Sequence, residues 1–434
     1  MHQMWENVVK NLMQIWTGQY KGMDTGDEDY EICPKVWEAI GAASAASGDT
    51  IPGIFGPRPP NVASDKLSWT ADTRSFWFQY VGPVLLARRF TRRKYYDHFI
   101  LLVRLTRMCL QFELTTAEIE EIRAGFIKWV TDYEDIYYQH DPQRLPMCPL
   151  TIHSLLHIAD SIEAIGPVWA SWAFPMERYC GALQPAIRSR RFPYASLDRH
   201  VADRAALTHL KLIYPGLDIK LRFRPPNKET GVSIPSYDSC VLLPPRRPLQ
   251  LDGDRGLQDK ILSCLCTRLQ IAPTPLRRLL PKTVEQYGKV RIINDGDTMR
   301  ASALATNSED SRDATFVRYE LLVDQNARYR HREEIFEKET FYGQLEHVIV
   351  LELTGPLPGS FAAPGPFLLG IVRTCTIEES NQELDFHYYS RLGALQVVDI
   401  TTVQCVVGRI LDRNRWAIID RSGSLSRALF VDEE

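Results

Sequence analysis

The side chains best suited to chemistry sit in one stretch, 148–193. His153 and His157 lie four residues apart in an apolar helical pattern, so both project from one side of a helix. Cys148 and Cys180 flank them. Two imidazoles on one face are half of a tetrahedral metal site, with the cysteines as candidate partners. They are equally the makings of a hydrogen-bonded anchor, because the paired ligands a zinc site normally shows on both halves are missing. Glu177 follows Pro175 and precedes Arg178, Arg188, Arg190 and Arg191, with Trp169, Trp172, Phe174 and Tyr179 close by. A carboxylate can hold Mg²⁺ in phosphoryl transfer while arginines meet phosphates. The same glutamate can simply complement a helix dipole. One carboxylate does not build a two-metal centre, which needs several converging on ions about 4 Å apart.

The elements that must position these residues follow from periodicity. Trp5, Val8, Val9, Leu12, Ile15 and Trp16 form a 3.6-period apolar face that Gly18 ends. A Gly-, Pro-, Ser- and Ala-rich loop is expected over 41–64, with amphipathic helices over about 71–111. Thr115 or Thr116 starts the next helix, and Glu118 completes a capping box. The histidines lie on a helix over 149–163, and 176–212 is helical with a break near Pro193. Six prolines between 225 and 256 predict a linker, and 257–282 a short basic helical piece. Beyond about 313 the apolar period becomes two, in FVRYELLV, FYGQLEHVIVLEL, FLLGIVRTCTI, DFHYYSRLGALQVVDI, VQCVVGRIL and RWAIIDRSG. Six such strands predict a small barrel or sandwich.

The 434 residues suffice for two or three domains, and 44% hydrophobic with 24% charged residues is ordinary for a globular chain. The net charge of −3 names no partner, but local charge does. Between Arg178 and Arg224 ten Lys/Arg face three Asp, and Arg88, Arg89, Arg92, Arg93 and Lys94 run into Tyr95 and Tyr96. Both clusters suit a polyanion or, more plainly, a solvated face. Nine scattered cysteines without a C-x-x-C pair predict a reducing, intracellular setting. No apolar run reaches the ~18 residues of a membrane span.

The block LTIHSLLHIADSIEAIGPVWASWAFPMERYCGALQPAIRSRRFP resembles the region downstream of the catalytic core in CACTA (En/Spm-type) DNA transposases, most of all their fungal branch. The resemblance is carried by Ile152-His153, His157, Gly166-Pro167-Val168, Trp172 and Phe174-Pro175-Met176-Glu177-Arg178, and upstream by MHQMWENVVKNLMQIWTGQYKG. It covers about 1–224; the tail around FYGQLEHVIVLEL looks like the small domain often appended to these enzymes. It implies an RNase H-like core whose Asp/Asp/Glu triad is split by a helical insertion, here residues 3–170. Glu177 matches the third acid, with Glu6 as the alternative, and Mg²⁺ is the metal of the intact enzyme. Both aspartates would precede Met1-His2, so the resemblance implies a truncated, catalytically inactive protein that needs no cofactor. The alternative is a fragment of an active transposase whose start codon is misplaced. Implied partners are DNA, at transposon ends or non-specifically through Arg178, Arg188, Arg190 and Arg191, and full-length transposase or a second copy. The implied location is the nucleus.

The expected fold class is therefore α+β. A helical body spans 1–224, a Pro-rich linker 225–256 and a short helical or irregular segment 257–312. A barrel-like β domain spans 313–434.

Overall fold

The apolar stripe of the first segment dictates its burial. Trp5, Val8, Val9, Leu12, Ile15 and Trp16 all reach the core, from a π-wound turn His2–Val8 that continues as the helix Val9–Trp16. Gly18, at φ 65°, turns the chain back in a conformation that costs glycine little. The computed structural model describes residues 2–65, 69–214, 231–293, 296–304, 312–326, 328–329, 331–358, 365–381 and 383–421.

The helical layer is built on Pro34–Ser47, Arg93–Cys109 and Thr116–Tyr133. The alanines at 42–46 extend the first of these helices to Ser47, where a loop was expected from residue 41. Thr115 and Glu118 make the expected capping box. Arg93–Cys109 and Thr116–Tyr133 approach so closely that a Cβ on Gly125 would lie 2.3 Å from Leu105. Aromatic residues fill the space between helices: Trp16, Trp77, Trp129, Tyr133 and Phe99 are among the largest fully buried side chains.

Eleven strands are seen among the described residues: β1 Val232–Ile234, β2 Tyr237–Gln250, β3 Thr283–Ile292, β4 Thr298–Arg300, β5 Phe316–Asp324, β6 Phe336–Leu351, β7 Phe367–Asn381, β8 Phe386–Asp399, β9 Val403–Val406, β10 Gly408–Asp412 and β11 Arg415–Ile419. The α+β class holds, but the sheet is open and not barrel-like. Its main path runs β1-β2-β3-β6-β7-β8-β11-β10, with β4 on β3, and β5 joined to both β6 and β9. All the pairings are antiparallel. The β5 ladder ends at Val407, whose N–H still bonds to the Phe316 carbonyl (2.9 Å), and β10 begins one residue later. β9 pairs only with β5 and β10 only with β11, so no continuous ladder closes the circuit.

Two expected boundaries shift. The stretch read as a linker carries β1 and β2 over most of its described length, and the segment 257–312 includes β3 and β4 besides the helices Arg255–Leu269 and Pro273–Leu279. Residues 225–230 of the linker lie outside the described set. Pro244, Pro245 and Pro248 are tolerated in β2 because their side of the strand carries no ladder beyond Leu242, and because the register shifts between Leu243 and Arg246.

Helices and sheet share one core. A single cluster of buried side chains runs from Trp5 through Trp77 and Tyr133 to Val317, Val372 and Ile419. Pro34–Ser47 packs on β10, and Arg107 donates to the carbonyls of Gln79 (2.6 Å) and Leu384 (2.8 Å).

His98 lies in the middle of the helical layer, stacked on Trp129 with ring centroids 4.5 Å apart. Its Nε2 donates to the Trp129 carbonyl (3.1 Å), which leaves Nδ1 buried without a hydrogen-bond partner. Burial pushes its pKa down from 6.5 to about 4. Below pH 6.5 the unfolded chain therefore takes up a proton that the folded chain refuses until about pH 4. Stability is complete above that window and falls as the pH drops through it, by about 3 kcal/mol in all. Denaturant titrations at pH 7.5 and 4.5 should show this loss, and His98→Phe should remove most of the pH dependence. An unchanged pH profile in His98→Phe contradicts a neutral native His98.

Candidate nucleic-acid interface

The histidine segment is less regular than a single helix. It runs as Leu150–His153, a 3-10 stretch Ser154–His157, and Ile158–Ile165. Ile152, Leu155, Ala159 and Ile162 bury the inner face. His153 and His157 are both exposed on the outer one. Their Nε2 atoms meet at 3.3 Å and the rings pack edge to face. Asp160 lies 3.9 Å from His157 Nδ1, but Arg123 already holds that carboxylate. Cys148 is half-buried, with its thiol pKa raised by burial and then by Glu134, while Cys180 is exposed on a different helix. No group of three or more His, Cys, Asp or Glu able to hold a metal ion occurs among the described residues. Two imidazoles in mutual contact fit a small polar cap on the helix better than a zinc ligand set.

Beyond Val168, which still packs against the core, the chain leaves it. Phe174–Leu183 begins with Pro175 in its first turn, a position where the missing N–H costs nothing, and Glu177 complements the dipole there. Glu177 is exposed, and its backbone N–H bonds to Ala173 (2.9 Å). The chain then passes through Gln184–Ala186 into Pro193–Ile213, the longest of the described helices, and none of its side chains is buried. Together these pieces form an arm. Trp169 at its root is tied back by its indole N–H to the Phe112 carbonyl (2.9 Å).

Arg178, Arg188, Arg190 and Arg191 are all exposed along the arm. Arg191 lies over the Phe192 ring at 5.4 Å; the other three make no hydrogen bond or ion pair among the described residues. The second basic cluster is different. Arg89 pairs with Asp412 (2.7 Å), Arg92 with Asp29 (3.0 Å), Arg93 with Asp97 (3.2 Å) and Lys94 with Glu28 (2.5 Å). The Tyr95 hydroxyl donates to Asp29 (2.5 Å), and Tyr96 donates to the Pro83 carbonyl (2.7 Å). Three of its five cations, Arg89, Arg92 and Lys94, thus tie distant segments together. Sequence could not show this, because Asp412, Asp29 and Glu28 lie far away in the chain. Arg93–Asp97 is an exposed i,i+4 pair within one helix. Lys220, Arg222 and Arg224 lie outside the described residues.

The residues present do not fit Mg²⁺. Glu177 stands in the first turn of an exposed helix whose other charged residue is Arg178, and among the described residues no converging carboxylate set surrounds it. Glu6, the alternative acid, lies on the first helical segment, away from the arm in sequence. Between that segment and the histidines lies a cavity of about 230 Å³ lined by Met4, Trp5, Leu110, His157, Ile162 and Trp172. Cys109 also borders it, with its thiol pushed up to about 12 by burial and therefore unreactive. The walls are mostly apolar and carry no acid–base pair. No family model, curated protein or solved structure matches this chain.

Proposed function

We propose that this is a transposase-like, nuclear DNA-binding protein of CACTA type, which grips the phosphate backbone through its arm and does not cut it. In this reading the helical layer is the insertion and tail of an RNase H-like core. The observation that carries the reading is the arm itself. From Arg178 to Tyr214 it presents seven Lys/Arg against two Asp, on helices without a buried side chain among the described residues. The exposed guanidinium groups of Arg178, Arg188, Arg190 and Arg191 donate in a planar fork that matches phosphate oxygens. Such contacts position a protein on DNA without reading its sequence. Tyr179 and Tyr194, both exposed on the arm, add surfaces for stacking on unpaired bases.

Cleavage is assigned no role because phosphoryl transfer by two metals needs converging carboxylates, and Glu177 supplies one. The test is incubation of the purified chain with end-labelled duplex and Mg²⁺ or Mn²⁺. The expected result is retarded but intact DNA. Metal-dependent cleavage that disappears in Glu177→Gln overturns the proposal.

A further inference from the structure

Of the basic cluster at 88–94, Arg88 is exposed and makes no hydrogen bond or ion pair among the described residues. It stands in a turn at φ 58°, a left-handed conformation that is unfavourable for a residue with a Cβ. The hairpin between β10 and β11 has the same peculiarity. Its two-residue turn is Arg413-Asn414, with φ 48° and 67°. This is the pattern of a type I′ turn, in which asparagine, aspartate and glycine are usual and arginine is not. The two turns touch, because Arg413 Nη2 donates to the Ala87 carbonyl (2.8 Å). Strained backbone of this kind collects at ligand sites.

Both turns line a cavity of about 270 Å³, whose walls include Arg88, Arg413, Arg415, Tyr388, Asp412 and Glu379. Its two carboxylates already have partners. Asp412 accepts from Arg89 on one oxygen (2.7 Å) and from Arg413 Nη2 and Nε on the other (2.8 and 3.0 Å). Glu379 accepts from Arg415 Nη2 (2.8 Å). Counting Arg89, four arginines stand against two carboxylates, so two positive charges are left over. Donors are left over too. Arg88 keeps its whole fork, and the Nη1 atoms of Arg413 and Arg415 make no hydrogen bond among the described residues. Arg415 lies over the Tyr388 ring at 4.7 Å, and the Tyr388 hydroxyl also has no hydrogen-bond partner among the described residues. Burial, and then Glu379, raise the pKa of that phenol, so it stays protonated and able to donate.

We propose that this cavity binds a phosphomonoester dianion, with Arg88 and Tyr388 as its main donors and Arg413 and Arg415 completing the charge. The group matches the site in charge and in form. It carries close to two negative charges at neutral pH and three acceptor oxygens. Arginine forks meet such oxygens in pairs, and the phenol supplies a further donor. A carboxylate ligand brings only one charge and two oxygens. None of the arm's residues lines the cavity, so the inference stands apart from the proposed grip on the DNA backbone. The group can arrive on a small molecule or at the end of a nucleic-acid strand, and the chemistry that holds it is the same.

The test titrates inorganic phosphate into the full chain at constant ionic strength. Phosphate should raise the unfolding temperature in a saturable way, where chloride does not. Arg88→Gly should weaken phosphate binding at least tenfold. Glycine suits the turn at 88, so without phosphate this variant should unfold at no lower temperature than the native chain. Tyr388→Phe keeps the ring and should weaken binding severalfold. The Arg188, Arg190 and Arg191 triple variant should bind phosphate as the native chain does. In that triple variant, a single strand with a 5′-phosphate that binds more tightly than its hydroxyl-ended twin, and loses the margin with Arg88→Gly, supports the site and assigns it to a strand end. Equal binding of the two strands, with phosphate binding intact, supports the site and assigns it to a small phosphate. Phosphate binding unchanged in Arg88→Gly overturns the proposal, as does an unfolding temperature equal in phosphate and in chloride. Loss of phosphate binding in the arm variant alone moves the anion to the arm and overturns it as well.

Discussion

Arg409→Met will destabilise the protein by about 2–4 kcal/mol, through loss of a half-buried ion pair, a charge-assisted hydrogen bond to Tyr389 and two cation–ring contacts. Arg409 is buried on β10. Its Nη2 donates to Asp313 (2.7 Å) and its Nη1 to the Tyr389 hydroxyl (2.9 Å). The guanidinium lies between the Phe316 and Trp416 rings, 3.4 and 4.4 Å from their centroids. Methionine fills much of the volume but satisfies neither polar partner. The loss should show as a lower denaturation midpoint with an unchanged slope. Asp313→Asn combined with Arg409→Met should recover part of it, because the stranded charge is gone. A change below about 1 kcal/mol in Arg409→Met contradicts the central role of this clamp.

Neither half of the chain will fold alone. Residues 1–214 and 231–434, expressed separately, should each lack a cooperative thermal transition, while the full chain unfolds in one step. The reason is the shared core, in which Ile51 and Phe55 of the helical layer sit against Gly408. Arg89 bonds Asp412, Arg104 bonds Glu383 (3.1 Å), and Arg413 donates to the Ala87 carbonyl (2.8 Å) across the same junction. Separation exposes this apolar surface on both pieces and strands the charges. Two independent transitions, each reproduced by one fragment, would show that the junction is an ordinary domain contact.

What sequence made legible was local. The first helix followed from six apolar residues on one face, the capping box from Thr115 and Glu118, and the strands beyond Phe316 from their period of two. What it hid depends on partners far along the chain. β2 reads as a linker because its prolines forbid a central strand, and only the bare edge opposite β3 makes them acceptable. The bond from Thr50 to Arg409 joins residues 359 apart, with no local pattern to announce it. The site divides the same way. The arm's arginines were visible as a charge run, but so were those at 88–94. Only the positions of Glu28, Asp29 and Asp412 show that Lys94, Arg92 and Arg89 among the latter are paired. The histidine pair was placed correctly on one face, yet spacing alone could not tell a metal site from two rings in contact.

The measurement that bears most directly on the proposed function is the salt dependence of DNA affinity. Binding of the full chain to two unrelated duplexes, followed from low to physiological salt, should give steep and nearly equal plots of log K against log salt. Replacing Arg188, Arg190 and Arg191 together should weaken binding and flatten the slope by up to about three units, one for each phosphate no longer neutralised. A triple variant that binds like the native chain at every salt concentration would contradict the account and leave the arm's arginines as a solvated surface.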